Sequence, residues 1–280
     1  MTSENISEEK VELHGQTLIR GDALKILPKL PDKSVNLIFV DPPYNIGKNF
    51  NGYRDKWDTD EDYLKWCYQW IELLINKLTD NGSMYLMGAT QFMPYFDIFV
   101  KKKMDIRSRI IWYYDSSGVQ AKNYYGSLYE PILFAVKNSR DYVFNAQDIR
   151  VEAKTGAKRK LIDYRKTIPT TYNTTKVPGN VWYFPRVRFR MKEYRAHPTQ
   201  KPESLLYRII LSSSNSGDII LDPFSGSFTT SVVSMKLGRR SIGIELDRDY
   251  FAIGLERLNQ VQEEIIMEKG IRRLEIYDQR

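Results

Sequence analysis

Short apolar segments alternate with amphipathic ones along most of the chain, and this alternation limits the possible folds more than any other feature. The apolar segments predict strands at residues 17–22, 34–41, 83–88, 108–115, 129–137, 218–222 and 241–247. Helices are predicted to begin at Asp60, Pro202, Phe228 and near Asp249, the first ending at Asn81-Gly82. Strands that alternate with helices form a mainly parallel sheet covered on both faces. The sequence therefore predicts an α/β fold.

Acidic residues stand at or near the ends of four predicted strands. They are Asp22, Asp41, Asp222 and Glu245. One such acid often only caps the following helix. The carboxyl edge of a parallel sheet is where open α/β folds bind ligands, so four acids there together favour a site.

The segment DPFSGS, residues 222–227, joins a predicted strand to a helix through small residues. Backbone N–H groups at a helix start favour a polar ligand, and Ser225, Gly226 and Ser227 let that ligand approach the main chain. Glu245 follows Gly226 by roughly 20 residues, the spacing at which an acid binds a nucleotide ribose. A full Gly-x-Gly-x-x-Gly pattern is lacking, so a nucleoside without pyrophosphate, such as S-adenosylmethionine, suits the turn best.

The segment VDPPYNIG, residues 40–47, ends a predicted strand in a stiff corner. Asp41 offers a carboxylate acceptor, and Pro42 offers a carbonyl held rigid by Pro43. Tyr44 offers a flat face for stacking a base. An exocyclic base amine is a poor nucleophile because its lone pair is delocalised, and two acceptors on its hydrogens would free that pair. The corner thus predicts a site for a planar amine.

Three motifs in order, DPPY, HPTQKP (197–202) and LDPFSGSFTT, resemble the beta class of S-adenosylmethionine-dependent DNA amino-methyltransferases. The segments NIGKNF, YDSSGVQAK, YEPIL and KVPGNVW look like an orphan adenine-N6 DNA methyltransferase. The resemblance implies a Rossmann-like, mainly parallel seven-stranded sheet with circularly permuted motif order. It also implies a catalytic half (17–140), an inserted target-recognition segment (141–195), a cofactor-binding half (196–262) and terminal extensions (1–16 and 263–280).

The same resemblance implies roles for individual residues. Asp41 and the Pro42 carbonyl, with Pro43 behind them, would bind the target amine, and Tyr44 would stack on the extruded base. The implied cofactor contacts are Asp22, Asp41, Thr199, Lys201, Asp222, Phe224, Ser225, Gly226, Ser227 and Glu245. The family usually has a second glycine where this chain has Phe228, and a ring there would narrow the cofactor pocket.

Positive charge is concentrated in the proposed recognition segment. Residues 150–195 hold thirteen lysines and arginines against three acids, a net charge of +10, whereas the whole chain carries +7. Aromatic residues are interleaved, as expected for a surface that binds nucleic acid. RVRFR, residues 186–190, is predicted as a strand with its arginines on one face. The candidate DNA contacts are Lys48, Lys158, Arg159, Arg186, Arg188 and Arg190. Residues 45–62 are predicted to close over a flipped base.

The sequence thus predicts an S-adenosylmethionine-dependent methyltransferase acting on adenine N6 of a flipped base in double-stranded DNA. Open alternatives are cytosine N4, an amine in RNA, a catalytically silent DNA-binding relative, and a protein glutamine methyltransferase. One cysteine, Cys67, and two histidines argue against a disulfide or a metal site. No apolar run approaches the roughly 20 residues of a membrane span. A cytoplasmic location and a homodimer are further expectations.

Overall fold

The computed structural model describes residues 8–114, 122–154 and 160–278, with side chains through residue 268. Its strands are β1 (Glu9–Leu13), β2 (Gln16–Arg20), β3 (Val35–Val40), β4 (Asn49–Phe50), β5 (Tyr53–Arg54), β6 (Leu78–Met87), β7 (Asp105–Tyr113), β8 (Tyr129–Val136), β9 (Val151–Glu152), β10 (Ile162–Asp163), β11 (Thr170–Thr171), β12 (Thr175–Lys176), β13 (Val181–Tyr183), β14 (Ile219–Asp222) and β15 (Arg240–Glu245). Its helices are α1 (Ala23–Ile26), α2 (Asp60–Lys77), α3 (Met93–Lys101), α4 (Glu203–Ser213), α5 (Thr229–Lys236) and α6 (Arg248–Asp278), with a 3₁₀ turn at Leu27–Lys29. This alternation confirms the predicted α/β class.

One large sheet organises the described residues, in the order β1-β2-β15-β14-β3-β6-β8-β7-β13. The five strands from β2 to β6 in that order are mutually parallel, while β8 runs antiparallel to both of its neighbours. The sheet has nine strands rather than the expected seven. The two additional ones are the outermost, β1 and β13, which extend the predicted sheet at its edges without changing its class.

Both faces of the sheet are covered, as the apolar strands predicted. Successive residues of a strand point to opposite faces, and β3 shows the consequence. Ile38 and Val40 pack with the residues of α2 and α3, whereas Leu37 and Phe39 pack with those of α4. Strand β3 is therefore buried between two helical layers.

Helices α1 and α3 were not predicted from the sequence, and other details differ as well. Helix α2 ends at Lys77 rather than Asn81-Gly82, because Leu78 continues the apolar spacing but is extended (ψ 136°) and begins β6. Residues 186–190 form a loop and turn instead of a strand, and Arg190 has φ 76°. Residues 9–13, expected in a terminal extension, pair with β2 as β1. Helix α6 continues to Asp278, well beyond the expected boundary at 262.

The inserted segment is attached to the main sheet. Its strand β13 pairs in parallel with β7, matching Trp182 to Trp112. The indole N–H of Trp112 donates to the Phe184 carbonyl at 2.9 Å, and the Arg208 guanidinium of α4 lies 4.5 Å from the Phe184 ring centroid. The end of the insert is therefore joined to the sheet close to its carboxyl edge.

Candidate active site

Three acids meet where the central parallel strands end. Asp41 follows β3, Asp222 ends β14 and Glu245 ends β15, and these three strands are neighbours. Asp22 lies beyond the neighbouring β2, where Gly21 N–H donates to the Glu245 carbonyl at 2.8 Å. Its carboxylate caps α1 by accepting from Leu24 N–H at 2.9 Å. The predicted acids do gather at one edge, and Asp22 serves as a helix cap there.

The Asp-Pro-Pro-Tyr corner is fixed by hydrogen bonds on both sides. The Tyr63 hydroxyl of α2 donates to the Pro43 carbonyl at 2.8 Å. The buried Asp55 carboxylate accepts the Tyr44 N–H at 3.1 Å and also the Lys48 N–H. These contacts hold the main chain of the corner while its side chains point into the site.

The Asp41 carboxylate is in contact with two side chains. The Tyr44 hydroxyl lies 2.7 Å from Asp41 Oδ1, and Lys201 Nζ lies 2.7 Å from Asp41 Oδ2. Lys201 Nζ also lies 5.6 Å from the centroid of the Tyr44 ring. Lys201, predicted as a cofactor contact, therefore forms an ion pair with the predicted catalytic acid and also lines the adjoining cavity.

A second acid, Glu130, completes this cluster and was missed by the sequence reasoning. Its Oε2 lies 3.0 Å from the Tyr44 hydroxyl and 3.4 Å from Lys201 Nζ. The predicted acids all lie at or near the carboxyl ends of strands, whereas Glu130 is near the amino end of β8. Because β8 runs antiparallel to β6, its amino end reaches the same edge. Only the strand direction could have revealed this residue.

Burial and mutual charge shift the pKa values of this cluster. Burial raises the pKa of Asp41; Lys201 opposes that shift and Glu130 adds to it. Burial alone lowers the pKa of Lys201, but Asp41 and Glu130 outweigh it and raise the pKa to about 12. Burial, then the two carboxylates, raises the pKa of Tyr44 well above its ordinary value. Lys201 is thus a permanent cation, and Tyr44 a neutral donor.

The cofactor turn is built around Glu245. Its Oε2 accepts the Gly226 N–H at 2.7 Å, and its Oε1 accepts the Asp247 N–H at 2.8 Å. Burial raises the pKa of Glu245 to about 7 against the opposing effect of these N–H groups. Asp222 accepts from Phe224 N–H at 3.1 Å and from the Thr230 hydroxyl at 2.6 Å, and burial raises its pKa to about 7.

An open cavity connects the corner to this turn. It is lined by eight of the ten predicted cofactor contacts: Asp41, Thr199, Lys201, Asp222, Phe224, Ser225, Gly226 and Ser227. Glu245 and Asp22 lie beyond it. A Cβ on Gly226, which has φ +51°, would stand 2.7 Å from His197 Nε2, so only glycine leaves this approach open. A glycine-lined cavity beside a buried carboxylate fits the predicted nucleoside cofactor.

His197 also lines the cavity, although it was not among the predicted contacts. Its ring packs edge-on against Tyr250 at 4.4 Å between centroids. Burial lowers its pKa to about 3, and Lys201 and Lys48 add to the shift. The imidazole is therefore neutral at physiological pH and lies over the Gly226 turn.

Phe228 does not narrow the cavity. It has left-handed backbone angles (φ 58°, ψ 34°), those that the usual glycine would adopt without strain. Its fully buried ring packs away from the cavity, among Val232, Phe251 and the other residues of the third core cluster. A Cβ on Gly243 would stand 2.7 Å from this ring. The expected narrowing was wrong because a glycine in a neighbouring strand makes room for the ring.

The candidate DNA contacts differ in position. Lys48 Nζ donates to the Pro198 carbonyl at 3.2 Å, across the mouth of the site. The Arg186 guanidinium lies 5.1 Å from the Tyr114 ring centroid, and its charge helps to lower the pKa of Lys48, second to burial. Arg188 and Arg190 are exposed and continue the loop and turn after Arg186. Lys158 and Arg159 lie outside the described residues.

Across residues 8–114, 122–154 and 160–278, no helix combines the length and apolar character that a membrane span requires. Over that part of the chain, no cluster of three or more His, Cys, Asp or Glu side chains could hold a metal ion.

Comparison with known proteins places the site in a family. The family described as DNA methylase (N6_N4_Mtase) matches residues 35–256. The DNA adenine methyltransferase YhdJ of Escherichia coli (strain K12) is 57% identical over 244 residues, covering 87% of this chain and 83% of YhdJ. The type II methyltransferase M.HpaI of Haemophilus parainfluenzae is 34% identical, covering 87% of this chain and 74% of M.HpaI.

Solved structures agree. The crystal structure of an M1.HpyAVI–SAM complex aligns with TM-score 0.59 and 25% identity, covering 86% of this chain and 98% of M1.HpyAVI. The cytosine-N4-specific PvuII DNA methyltransferase aligns with TM-score 0.63 at 15% identity, covering 89% of this chain and 90% of the PvuII enzyme. At this identity the likeness supports the fold alone. The matching family, the two relatives and the geometry of the DPPY corner lead to one conclusion: this chain belongs to the N6_N4_Mtase family of DNA methylases.

Proposed function

We propose that this protein methylates N6 of adenine in double-stranded DNA, using S-adenosylmethionine. The observation that carries the proposal is the buried Asp41 carboxylate at the DPPY corner, which opens into the same cavity as the Gly226 turn. Two comparisons support the substrate and the cofactor. YhdJ is named a DNA adenine methyltransferase, and M1.HpyAVI was solved with SAM.

The corner acts on the amine by hydrogen bonding. Asp41 accepts one N6 hydrogen and the Pro42 carbonyl accepts the other, which draws the nitrogen lone pair out of conjugation. The Tyr44 ring stacks on the flipped base, and the Tyr63 bond to the Pro43 carbonyl keeps the corner rigid. Preorganised groups of this kind stabilise a transition state without reorganising during the reaction.

The cofactor turn holds the donor beside this corner. Bound S-adenosylmethionine supplies an electrophilic methyl group, and the protein supplies its orientation. Glu245 accepts hydrogen bonds from the ribose hydroxyls in addition to the two backbone N–H groups that it already binds. Phe224, Ser225, Gly226 and Ser227 line the cavity at this turn, with Thr199 from the HPTQKP segment. Asp22 lies at the end of the neighbouring strand, on the adenine side.

In this proposal the amine takes the place of one of the two side chains that Asp41 already contacts, the Tyr44 hydroxyl at Oδ1 or the Lys201 ammonium at Oδ2. Lys201 remains paired with Oδ2, where its charge opposes the effect of burial on the pKa of Asp41. The amine therefore takes the Oδ1 position that the Tyr44 hydroxyl holds in the free protein.

The recognition segment supplies the DNA surface. Extruding a paired adenine costs a few kcal/mol, and contacts to the surrounding duplex compensate for this cost. Arg186 and Lys48 flank the mouth of the site, and the net charge of +10 over residues 150–195 supplies attraction to phosphates.

Replacement of Asp41 tests the function. We expect Asp41→Ala to reduce methylation by roughly 100-fold or more, the typical loss of one preorganised polar group, and to leave cofactor affinity largely intact. Glu245→Ala should instead weaken cofactor binding about tenfold, or ~1.4 kcal/mol. Asp80→Ala, an exposed acid paired with Lys33, is the matched control.

The measurement combines calorimetry of cofactor binding with mass spectrometry of nucleosides from DNA methylated in vitro. Appearance of N6-methyladenine supports the proposal. N4-methylcytosine would establish the alternative base, and near-normal turnover by Asp41→Ala would refute the assigned chemistry.

A homodimer in the cytoplasm is the proposed working state. At the carboxyl end of β7 and along β13 the outer face is apolar, and its Tyr113, Val181 and Tyr183 are 43%, 59% and 48% exposed. Such a surface favours self-association. Sedimentation of the protein and of Val181→Asp tests this, since the substitution should release monomers.

A further inference from the structure

The Tyr44 hydroxyl has one proton and two acceptors within hydrogen-bond distance. Asp41 Oδ1 lies 2.7 Å from it and Glu130 Oε2 lies 3.0 Å from it. A hydroxyl donates one strong hydrogen bond, so the two carboxylates are alternative partners. Tyr44 can therefore leave Asp41 for Glu130 with almost no movement of its ring.

This choice of partner matters because the target amine needs Asp41 Oδ1. A buried hydroxyl left without an acceptor is strongly unfavourable. If Asp41 were the sole acceptor in reach, the incoming amine would strand the Tyr44 proton or push the ring out of its stacking position. Glu130 removes this conflict, because its carboxylate already lies within hydrogen-bond distance of the Tyr44 hydroxyl.

Glu130 has a similar relation to Lys201. Lys201 Nζ lies 2.7 Å from Asp41 Oδ2 and 3.4 Å from Glu130 Oε2. When the amine shares the Asp41 carboxylate, Glu130 retains part of the attraction that keeps Lys201 in place. The lysine and the tyrosine are thus each held from two sides.

We propose that Glu130 is a positioning residue for methyl transfer, which holds the Tyr44 hydroxyl while the target amine occupies Asp41. The inference rests on the proposed role of Asp41 as the amine acceptor. Glu130 touches neither the amine nor the methyl group; it acts through Tyr44 and Lys201.

A purely structural role fits the surroundings of Glu130 less well. Its side chain is only 18% exposed and stands beside a second buried acid, with one lysine to balance both. Two carboxylates near one cation repel each other. Loss of the Glu130 charge should therefore relieve repulsion in the free protein, and Glu130→Gln should fold at least as stably as the wild type.

A double-mutant cycle tests the inference. The variants are Glu130→Ala, Tyr44→Phe and their combination, assayed by single-turnover methyl transfer at saturating DNA and cofactor. We expect Glu130→Ala alone to slow transfer 10- to 100-fold, with the dissociation constant of S-adenosylmethionine changed less than twofold. In the Tyr44→Phe background, the same substitution should cost less than threefold. Glu61→Ala, an exposed acid in α2, is the control for a general effect of charge.

The pH profile of Glu130→Gln gives a second readout. The amide retains an oxygen acceptor for Tyr44 but removes a negative charge that raises the pKa of Asp41. The acid limb of the rate profile should therefore move to lower pH, while the plateau rate stays within threefold. The groups whose charge acts on or with Asp41 are Tyr44, Lys201, Glu130, Asp222 and Tyr63.

The outcomes separate this inference from the proposed function. The role of Glu130 is overturned if Glu130→Ala slows methyl transfer equally in the wild-type and Tyr44→Phe proteins. It is also overturned if the acid limb of the pH–rate profile does not move in Glu130→Gln. Neither result affects the proposed role of Asp41. Activity in Asp41→Ala overturns the proposed function itself. A reduced cost in the Tyr44→Phe background together with a shifted acid limb supports the inference.

Discussion

Phe228 shows how one residue can depart from a family pattern without changing the site. Its left-handed backbone costs a non-glycine residue about 1–2 kcal/mol. The ring repays this cost through burial between α6 and the neighbouring strand β15, where Gly243 leaves space for it. The strain of the turn and the packing of the core are therefore coupled at one position.

This coupling predicts that glycine gives a more stable protein than alanine at position 228, the reverse of their order inside a helix. Phe228→Ala and Phe228→Gly should each lower the free energy of unfolding by about 3–5 kcal/mol, because both remove the buried ring. The glycine variant should be the more stable by about 1 kcal/mol, since only glycine relieves the left-handed strain. Urea unfolding measures the difference.

Val232, buried within α5, provides the control. Inside a helix alanine is normally more stabilising than glycine, so Val232→Ala should be more stable than Val232→Gly by about 1 kcal/mol. If alanine is also preferred at position 228, the turn does not impose left-handed strain in solution.

At the residue scale, the sequence predicted those parts of the site that are local in the chain. Asp41, Tyr44 and Gly226 lie in short motifs whose chemistry is visible without a fold. Glu130 reaches the site because β8 runs antiparallel to β6. His197 belongs to the HPTQKP motif, but its position over the Gly226 turn depends on the path of the loop. The ring of Phe228 likewise depends on two glycines, Gly243 and Gly254, that are distant in sequence.

At the scale of elements, the segment after the corner has two differently anchored parts. Its base is held by Asp55, whose N–H donates to the Lys48 carbonyl at 3.0 Å and whose carbonyl accepts Gly47 N–H at 3.0 Å. Its tip, the two-residue ribbon β4–β5, contacts the cofactor half through Asn51 Nδ2 and Asp247 Oδ1 at 3.1 Å. The exposed tip is therefore suited to move on a fixed base.

We expect hydrogen exchange to distinguish these two parts. In the free protein, the amides of residues 49–54 should exchange quickly, while those of Tyr44, Gly47 and Lys48 stay protected by their bonds to Asp55. Adding cofactor and DNA with its target site should slow exchange of the tip roughly tenfold or more. The amides of β14 should not change. Equal protection of the tip in both states would contradict closure over the flipped base.

The apolar pattern predicted those helices and strands that bury one face or both faces. Strand β3 and helix α4 were located within one or two residues, because their apolar residues repeat with the period of the element. The end of α2 was missed because Leu78 would be buried either as part of the helix or as the first residue of β6. The outer strands β1 and β13 were missed because they are short and largely exposed, so their apolar pattern is weak.

At the scale of the whole molecule, positive charge and catalytic chemistry lie in different parts of the chain. Residues 150–195 carry a net charge of +10, so the remainder is slightly acidic. The insert is joined to the sheet through Trp112, Phe184 and Arg208, which brings the adjoining Arg186 to the mouth of the site. These contacts place the positively charged segment beside the edge of the sheet that carries Asp41.

This arrangement predicts a separable electrostatic contribution from Arg186. If its guanidinium neutralises one phosphate, Arg186→Gln should weaken DNA binding and reduce the slope of log K against log salt by about 1. Fluorescence anisotropy with a labelled duplex at several salt concentrations measures both quantities. Lys65→Gln, an exposed cation on α2, should leave the slope unchanged. An unchanged slope together with relaxed sequence preference would instead identify Arg186 as a base contact, because a hydrogen bond to a base edge releases no phosphate counterion.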